Sequence, residues 1–207
     1  MRWRRTGADP SPDFRTAIAD ALELVKYIDH LPPYERSPAT VDVFQVMYAQ
    51  HLLNEPIAEA FRAVTAVPSS ERSLPTPPPD GFARDYLLVF DDLLLEMVER
   101  FEVPAEWDTF SDWLAEKKQP RNILNTMAAY KAIVESAHAD DAKALARWVK
   151  KAHTNFMQRG KVTNSWGGPG MRDIIVDFRL GALLKSAAKA NPEAMQGIES
   201  FHLWRWG

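Results

Sequence analysis

Two pairs of acidic and imidazole side chains have the spacing that metal chemistry requires. Glu135 precedes His138 by three residues, and Glu199 precedes His202 by the same interval. On a helix, residues three apart share one face. Di-iron carboxylate bundles use such a pair on each of two helices and a glutamate from each of two others. With Glu96 on a further predicted helix, the pattern permits a helical di-metal enzyme that holds iron or manganese.

Other arrangements that could carry chemistry are weaker. Asp91, Asp92 and Glu96 in "FDDLLLEM" could chelate Mg²⁺, since carboxylates one turn apart suit a hard cation. A second acidic motif is missing, and such a stripe is also typical of a solvated face.

His51 follows Tyr48 on an apolar face and is predicted to be a core histidine satisfied by a hydrogen bond. Surface polar residues are the alternative explanation for both Glu-x-x-His pairs, which lie at predicted helix ends.

Basic residues are concentrated in one part of the chain. Residues 82–141 carry six Lys/Arg and thirteen Asp/Glu, whereas residues 142–189 carry ten and two, in a chain of net charge −3. Within the predicted helix that begins at Ala142, a step of about 100° per residue places one set of charges opposite the apolar stripe. That set is Lys143, Arg147, Lys150 and Lys151. These side chains are predicted to point away from the core.

Three interpretations of this basic helix face remain open. It can be an ordinary solvated face that the neighbouring acidic helices partly neutralise. It can be a docking surface for an acidic protein, where complementary charge speeds encounter. It can also bind single-stranded nucleic acid, because Trp148 and Trp166 lie among the cations and could stack on bases. The sequence pI of about 6.0 is low for a nucleic-acid-binding protein.

The chain is rich in tryptophan, with seven in 207 residues. Trp204 and Trp206 flank Arg205 at the C-terminal end, and Trp and Arg are favoured residues of interface hot spots. Together with the basic helix they form one predicted partner-binding set. Its members are Lys143, Arg147, Lys150, Lys151, Arg159, Trp204 and Trp206.

Apolar residues recur at helical spacing along the whole chain, and no stretch alternates as a strand does. We expect an all-α fold of about nine helices in one compact orthogonal or bundle-like domain over residues 11–207. Residues 1–10 are expected to be a flexible N-terminus, and the proline-rich residues 67–81 an external loop. The predicted helices begin at Ser11-Pro12, Ser37-Pro38, Pro56, Phe82, Pro104, Pro120, Ala142 and Met171, and the segment "ESFHLWRWG" follows. Pro32-Pro33, Gly160 and Asn191-Pro192 are predicted helix stops.

Composition narrows the classes of function. The absence of cysteine excludes a disulfide framework, a thiol nucleophile and a thiolate metal site. The basic N-terminus has no apolar segment behind it, and the longest apolar stretch is too short to cross a bilayer, so a soluble, cytoplasmic protein is expected. We therefore predict a non-enzymatic helical protein that binds another protein, for example as an inhibitor or immunity-type protein. The alternatives are the di-metal enzyme and, less favoured, single-strand nucleic-acid binding.

Overall fold

The computed structural model describes residues 11–67, 85–117, 121–162, 177–196 and 198, and these residues are helical with no strand among them. The predicted all-α fold is confirmed. Eight α-helices and one 3₁₀ helix lie in the described residues. They are α1 (Ser11–Leu24), the 3₁₀ helix (Val25–His30), α2 (Pro33–Leu52), α3 (Glu59–Thr65), α4 (Asp85–Arg100), α5 (Trp107–Glu116), α6 (Arg121–His138), α7 (Ala142–Val162) and α8 (Phe178–Ala190).

Helix α4 contributes much of the core. It packs against both α2 and α8, as the width of its apolar face predicts. Its buried side chains include Val89, Phe90, Leu93, Leu94, Leu95, Met97 and Val98. Phe90 also packs against Trp107 of α5 and Tyr130 of α6, with ring centroids 6.0 and 6.4 Å apart. The central helix is thereby joined to the second half of the chain.

Helices α6 and α7 form the most extensive helix pair, and a tight turn connects them. Asp140 adopts a φ of 55°, and Asp141 caps α7 by accepting a hydrogen bond from the backbone N–H of Ala144 at 2.8 Å. Asn191, just after α8, donates to the Ala137 carbonyl oxygen and to the Asp140 carboxylate, each at 3.0 Å. The end of α8 is therefore fastened to the α6–α7 turn.

Several predicted helix boundaries are wrong. Helices α3 and α5 begin at Glu59 and Trp107, three residues after the predicted starts at Pro56 and Pro104. Helix α2 begins at Pro33 rather than at Ser37-Pro38, with Pro32 at the N-cap. Proline fits the first turn of a helix because the N–H that it lacks has no intrahelical acceptor there. Helix α7 continues to Val162 through Gly160. An interior glycine costs a helix only about 1 kcal/mol relative to alanine, which the rest of this long helix outweighs.

Several predicted features fall outside the described residues. They are the N-terminus 1–10, nearly all of the proline-rich loop 67–81, the glycine-rich segment before α8 and the segment that contains Trp204 and Trp206. Within the part of the chain that is described, no helix combines the length and the apolar character that a bilayer span requires.

Candidate functional site

The outer face of α7 is the largest set of sequence-predicted site residues that the structure describes. Lys143, Arg147, Lys150 and Lys151 are all exposed, and together they are called the basic face below. On the opposite side of the helix, Leu145, Val149 and Ala152 are buried. The amphipathic period of α7 therefore directs the four cations to solvent, as predicted.

None of the four cations of the basic face forms a salt bridge with any residue in the described ranges. Several acidic residues of α4 and α5 pair with cations outside α7. Glu96 binds Arg100 at 2.8 Å, and Asp108 binds Lys131 at 2.6 Å. Glu99 pairs with Arg62 of α3. These acidic side chains do not neutralise α7, so its positive charge remains available at the surface.

Trp148 lies at the edge of the basic face and is half-buried. The Lys151 Nζ lies 4.4 Å and the Arg147 Cζ 5.4 Å from the centroid of its ring. Cations at this distance are attracted by the π electrons of indole. A stacked nucleobase would need the ring surface that Lys151 occupies. The arrangement therefore orients two cations of the basic face and disfavours Trp148 as a stacking platform.

The other residues of the predicted partner-binding set are less fully described. Arg159 belongs to α7, but its side chain lies outside the described part of the structure. Trp204 and Trp206 lie outside the described residues altogether. Their place relative to the basic face stays a prediction.

The described members of the predicted metal set each have another partner. Glu96 pairs with Arg100, and the Glu135 carboxylate lies 3.9 Å from the Lys131 ammonium. The His138 Nε2 donates to the carbonyl oxygen of Phe101 at 2.8 Å. In the described ranges, no three His, Asp or Glu residues lie together as a metal site. Glu199 and His202 lie outside them.

A buried ion pair joins α4 to α8, and the sequence patterns did not reveal it. Asp91 is fully buried, and its two carboxylate oxygens accept from the Nε and Nη2 of Arg179, each at 2.6 Å. The Tyr48 hydroxyl of α2 lies 3.1 Å from the same carboxylate and donates to it. Asp91 is offset by about 100° from the face of α4 that carries Asp92 and Glu96. That offset is the signal that could have identified it as an inward-facing carboxylate.

Arg179 and Tyr48, which both contact Asp91, hold their protons firmly. Burial by itself lowers the pKa of Arg179, but the charge and hydrogen bonds of Asp91 outweigh it and raise that pKa above its ordinary value. Burial and the nearby carboxylate also raise the pKa of Tyr48 well above its usual range. Neither group exchanges protons near neutral pH. The cluster therefore orients three helices and is unsuited to acid–base catalysis.

His51 is half-buried and is satisfied by a hydrogen bond, as predicted. Its Nε2 lies 2.9 Å from the Ser186 Oγ, and that hydroxyl donates its own proton to the carbonyl oxygen of Val98. Nε2 must then carry a proton and donate it to Ser186. Burial, together with the charges of Lys189 and Lys185, lowers the pKa of His51 to about 4. His51 is neutral and its Nε2 cannot act as a base toward the serine, so the contact is not a nucleophile–base pair.

A shallow cleft lies beside the Asp91–Arg179 pair, lined among others by Phe90, Tyr130, Asn155 and Arg179. The space open to the centre of a water molecule is about 20 Å³, which suffices for one or two waters. The Asn155 Nδ2 is buried there without a hydrogen-bond partner in the described part of the chain. A bound water suits this cleft better than a substrate does.

Comparison with known proteins adds no family to this description. The chain matches no protein-family model, no curated protein and no solved structure.

Proposed function

We propose that this protein acts by binding another protein through the basic face of α7. The observation that carries the proposal is the exposure of all four cations without a salt bridge to any described residue. Opposite charge on a partner speeds association and suppresses wrong partners, and a rigid helix presents the charges in a fixed pattern. The partner is therefore a protein with an acidic surface.

Such a protein needs no catalytic group of its own. We propose a non-enzymatic, cytoplasmic role of the inhibitor or immunity type, in which the helical chain occupies a surface that its partner needs. Arg159, near the end of α7, is a further member of the proposed partner-binding set. Trp204 and Trp206 are proposed as apolar anchors of the contact, because a few aromatic residues usually supply most of the binding free energy.

Capture experiments from lysate of the source cells test this proposal. The variant Lys143→Glu with Lys150→Glu reverses two of the four charges of the basic face and leaves that face with no net charge. The matched control Lys117→Glu with Arg121→Glu makes the same change in net charge at exposed residues elsewhere. We expect the wild type and the control to retain the same acidic protein, and the reversed variant to lose it. The purified complex should weaken as salt is raised. Equal retention by all three proteins would refute the basic face as the docking surface.

Binding of single-stranded nucleic acid is the function that competes most directly with protein binding by the basic face. Fluorescence anisotropy with an oligothymidylate of ~20 nucleotides, longer than one stacking site needs, measures it. We expect no binding that depends on the basic face near physiological salt. Binding that the Lys143→Glu, Lys150→Glu variant abolishes, with affinity falling steeply as salt rises, would replace the protein partner by nucleic acid.

Metal content tests the enzyme alternative. Native mass spectrometry of protein purified without chelator should show the mass of the chain alone or with a protein partner. One or two stoichiometric iron or manganese ions, lost on His138→Ala, would support the di-metal alternative and would make Glu199 and His202 the next residues to change.

A further inference from the structure

Helix α1 and the 3₁₀ helix present a stripe that is acidic at one end and apolar at the other. We call Asp13, Ala17, Asp20, Leu24 and Tyr27 the acidic stripe; successive members are four and three residues apart, which keeps them on one helix face. All five are exposed, whereas Phe14, Ile18 and Ala21, which lie about 100° away around the helix, are buried. The stripe therefore faces solvent along its whole length.

The charged and large apolar side chains of the acidic stripe are not satisfied by ion pairing or burial within the described part of the fold. Neither Asp13 nor Asp20 forms a salt bridge with a described residue. Leu24 and Tyr27 are 66% and 62% exposed, and among the described residues they are the exposed large hydrophobic side chains. An unpaired pair of carboxylates beside an exposed Leu and Tyr is the composition of a docking surface with an apolar anchor.

The spacing of the acidic stripe matches the spacing of the basic face. Asp13 and Asp20 are seven residues apart, as are Lys143 and Lys150. Seven residues of α-helix span about 10.5 Å. When two helices lie side by side, each carboxylate therefore meets one ammonium group in either the parallel or the antiparallel direction. In the parallel alignment the small Ala17 lies opposite the long Arg147, and in the antiparallel alignment the two are displaced by one residue, about 1.5 Å along the axis.

We propose that the acidic protein that docks on the basic face is a second copy of this chain, which contributes its acidic stripe. This inference rests on the proposed function, because it names the partner of the same surface. The two surfaces lie on different helices and leave each other unpaired within one molecule. The contact is therefore heterologous, and each added copy leaves one of each surface open, so that rings or open chains form. Leu24 and Tyr27 supply the apolar part of the contact.

Sedimentation equilibrium of the purified full chain tests the proposal from ~1 µM to ~1 mM, the range expected for a contact that depends on few anchors. The average mass of the wild type should rise with concentration and fall back with added salt. Charge reversal at two positions of the basic face (Lys143→Glu with Lys150→Glu) should give a monomer at every concentration. Reversal of the acidic stripe (Asp13→Lys with Asp20→Lys) should do the same.

Mixing the two reversed variants gives the sharpest result. One variant keeps an intact acidic stripe and the other keeps an intact basic face, so the mixture should form one native contact although neither variant associates alone. Tyr27→Ser should weaken wild-type association about tenfold through loss of the apolar anchor, and the Lys117→Glu, Arg121→Glu control should associate like the wild type. A wild type that stays monomeric, or a mixture that does not associate, would overturn self-association. The proposed function would still stand if capture of another acidic protein continued to depend on the basic face.

Discussion

The ion pair of Arg179 and Asp91 shows that a buried charge needs an oppositely charged partner. A carboxylate with no exposed surface must be paired, and the guanidinium of α8 meets it with two hydrogen bonds of 2.6 Å. The pair lies where α2, α4 and α8 meet. Its geometry therefore fixes how the first half of the described chain joins the last helix.

Removal of one member of this pair should be far more damaging than removal of both. Arg179→Met leaves the Asp91 carboxylate buried and uncompensated, which should lower the free energy of unfolding by about 3–5 kcal/mol. Asp91→Leu combined with Arg179→Met removes both charges, and Tyr48 can still donate to the backbone carbonyl of residue 91. Urea unfolding should show the double variant to be more stable than Arg179→Met. A double variant less stable than that single variant would contradict this account.

His51 should make stability depend on pH in a predictable direction. Its pKa is about 4 in the folded protein and about 6.5 in an unfolded chain. Between these values the unfolded state binds more protons, so the free energy of unfolding falls as pH falls from 6.5 to 4, by up to about 3 kcal/mol.

The variant His51→Gln isolates this effect, because the carboxylates that titrate in the same range are common to both proteins. The stability advantage of the wild type over the variant should be largest above pH 6.5 and should shrink toward pH 4. Urea unfolding at a series of pH values measures it. Parallel pH curves for the two proteins would rule out His51 as the cause.

At the scale of elements, helix ends carry local strain that one substitution can reveal. Asn54 follows α2 with a φ of 58°, and its side chain is exposed. Glycine and asparagine tolerate this left-handed conformation, whereas a Cβ without local hydrogen bonding raises its energy by about 1–2 kcal/mol. Asn54→Ala should therefore lower the melting temperature by roughly 2–4 °C per kcal/mol lost. Asn54→Gly should leave it unchanged or raise it. Thermal unfolding followed by circular dichroism measures both melting temperatures. Equal changes for the two variants would exclude backbone strain at Asn54.

Sequence periodicity was most informative where one face of a helix is apolar and the other charged. The stripe of Leu145 and Val149 predicted correctly that the cations of α7 face solvent. The start of α2 was mispredicted because Pro32-Pro33 was interpreted as a helix stop, although proline also fits the first turn of a helix. The pairing of Asp91 with Arg179 joins residues 88 positions apart. No local pattern contains that information.

At the scale of the molecule, the charge of one surface region differs in sign from the net charge of the whole chain. The net charge of −3 predicts weak repulsion of anions. Yet acidic side chains such as Glu96, Glu99 and Asp108 are paired with Arg100, Arg62 and Lys131, while the basic face is unpaired within the described residues. Within about 10 Å of the surface, which is the screening length near 0.1 M salt, a partner therefore meets a local positive patch on a molecule that is negative as a whole.

Ion-exchange chromatography can separate this arrangement from the net charge. At pH 7 and low salt, the basic face should retain the wild type on a cation exchanger although the chain is net negative. Lys143→Glu with Lys150→Glu should abolish that retention, because the resin contacts the patch and not the average charge. Lys117→Glu with Arg121→Glu lowers the net charge equally, and both of its positions are exposed on other helices. Its elution should stay close to that of the wild type. If the two double variants lost retention to the same extent, net charge alone would govern the interaction, and the basic face would have no special role in recognition.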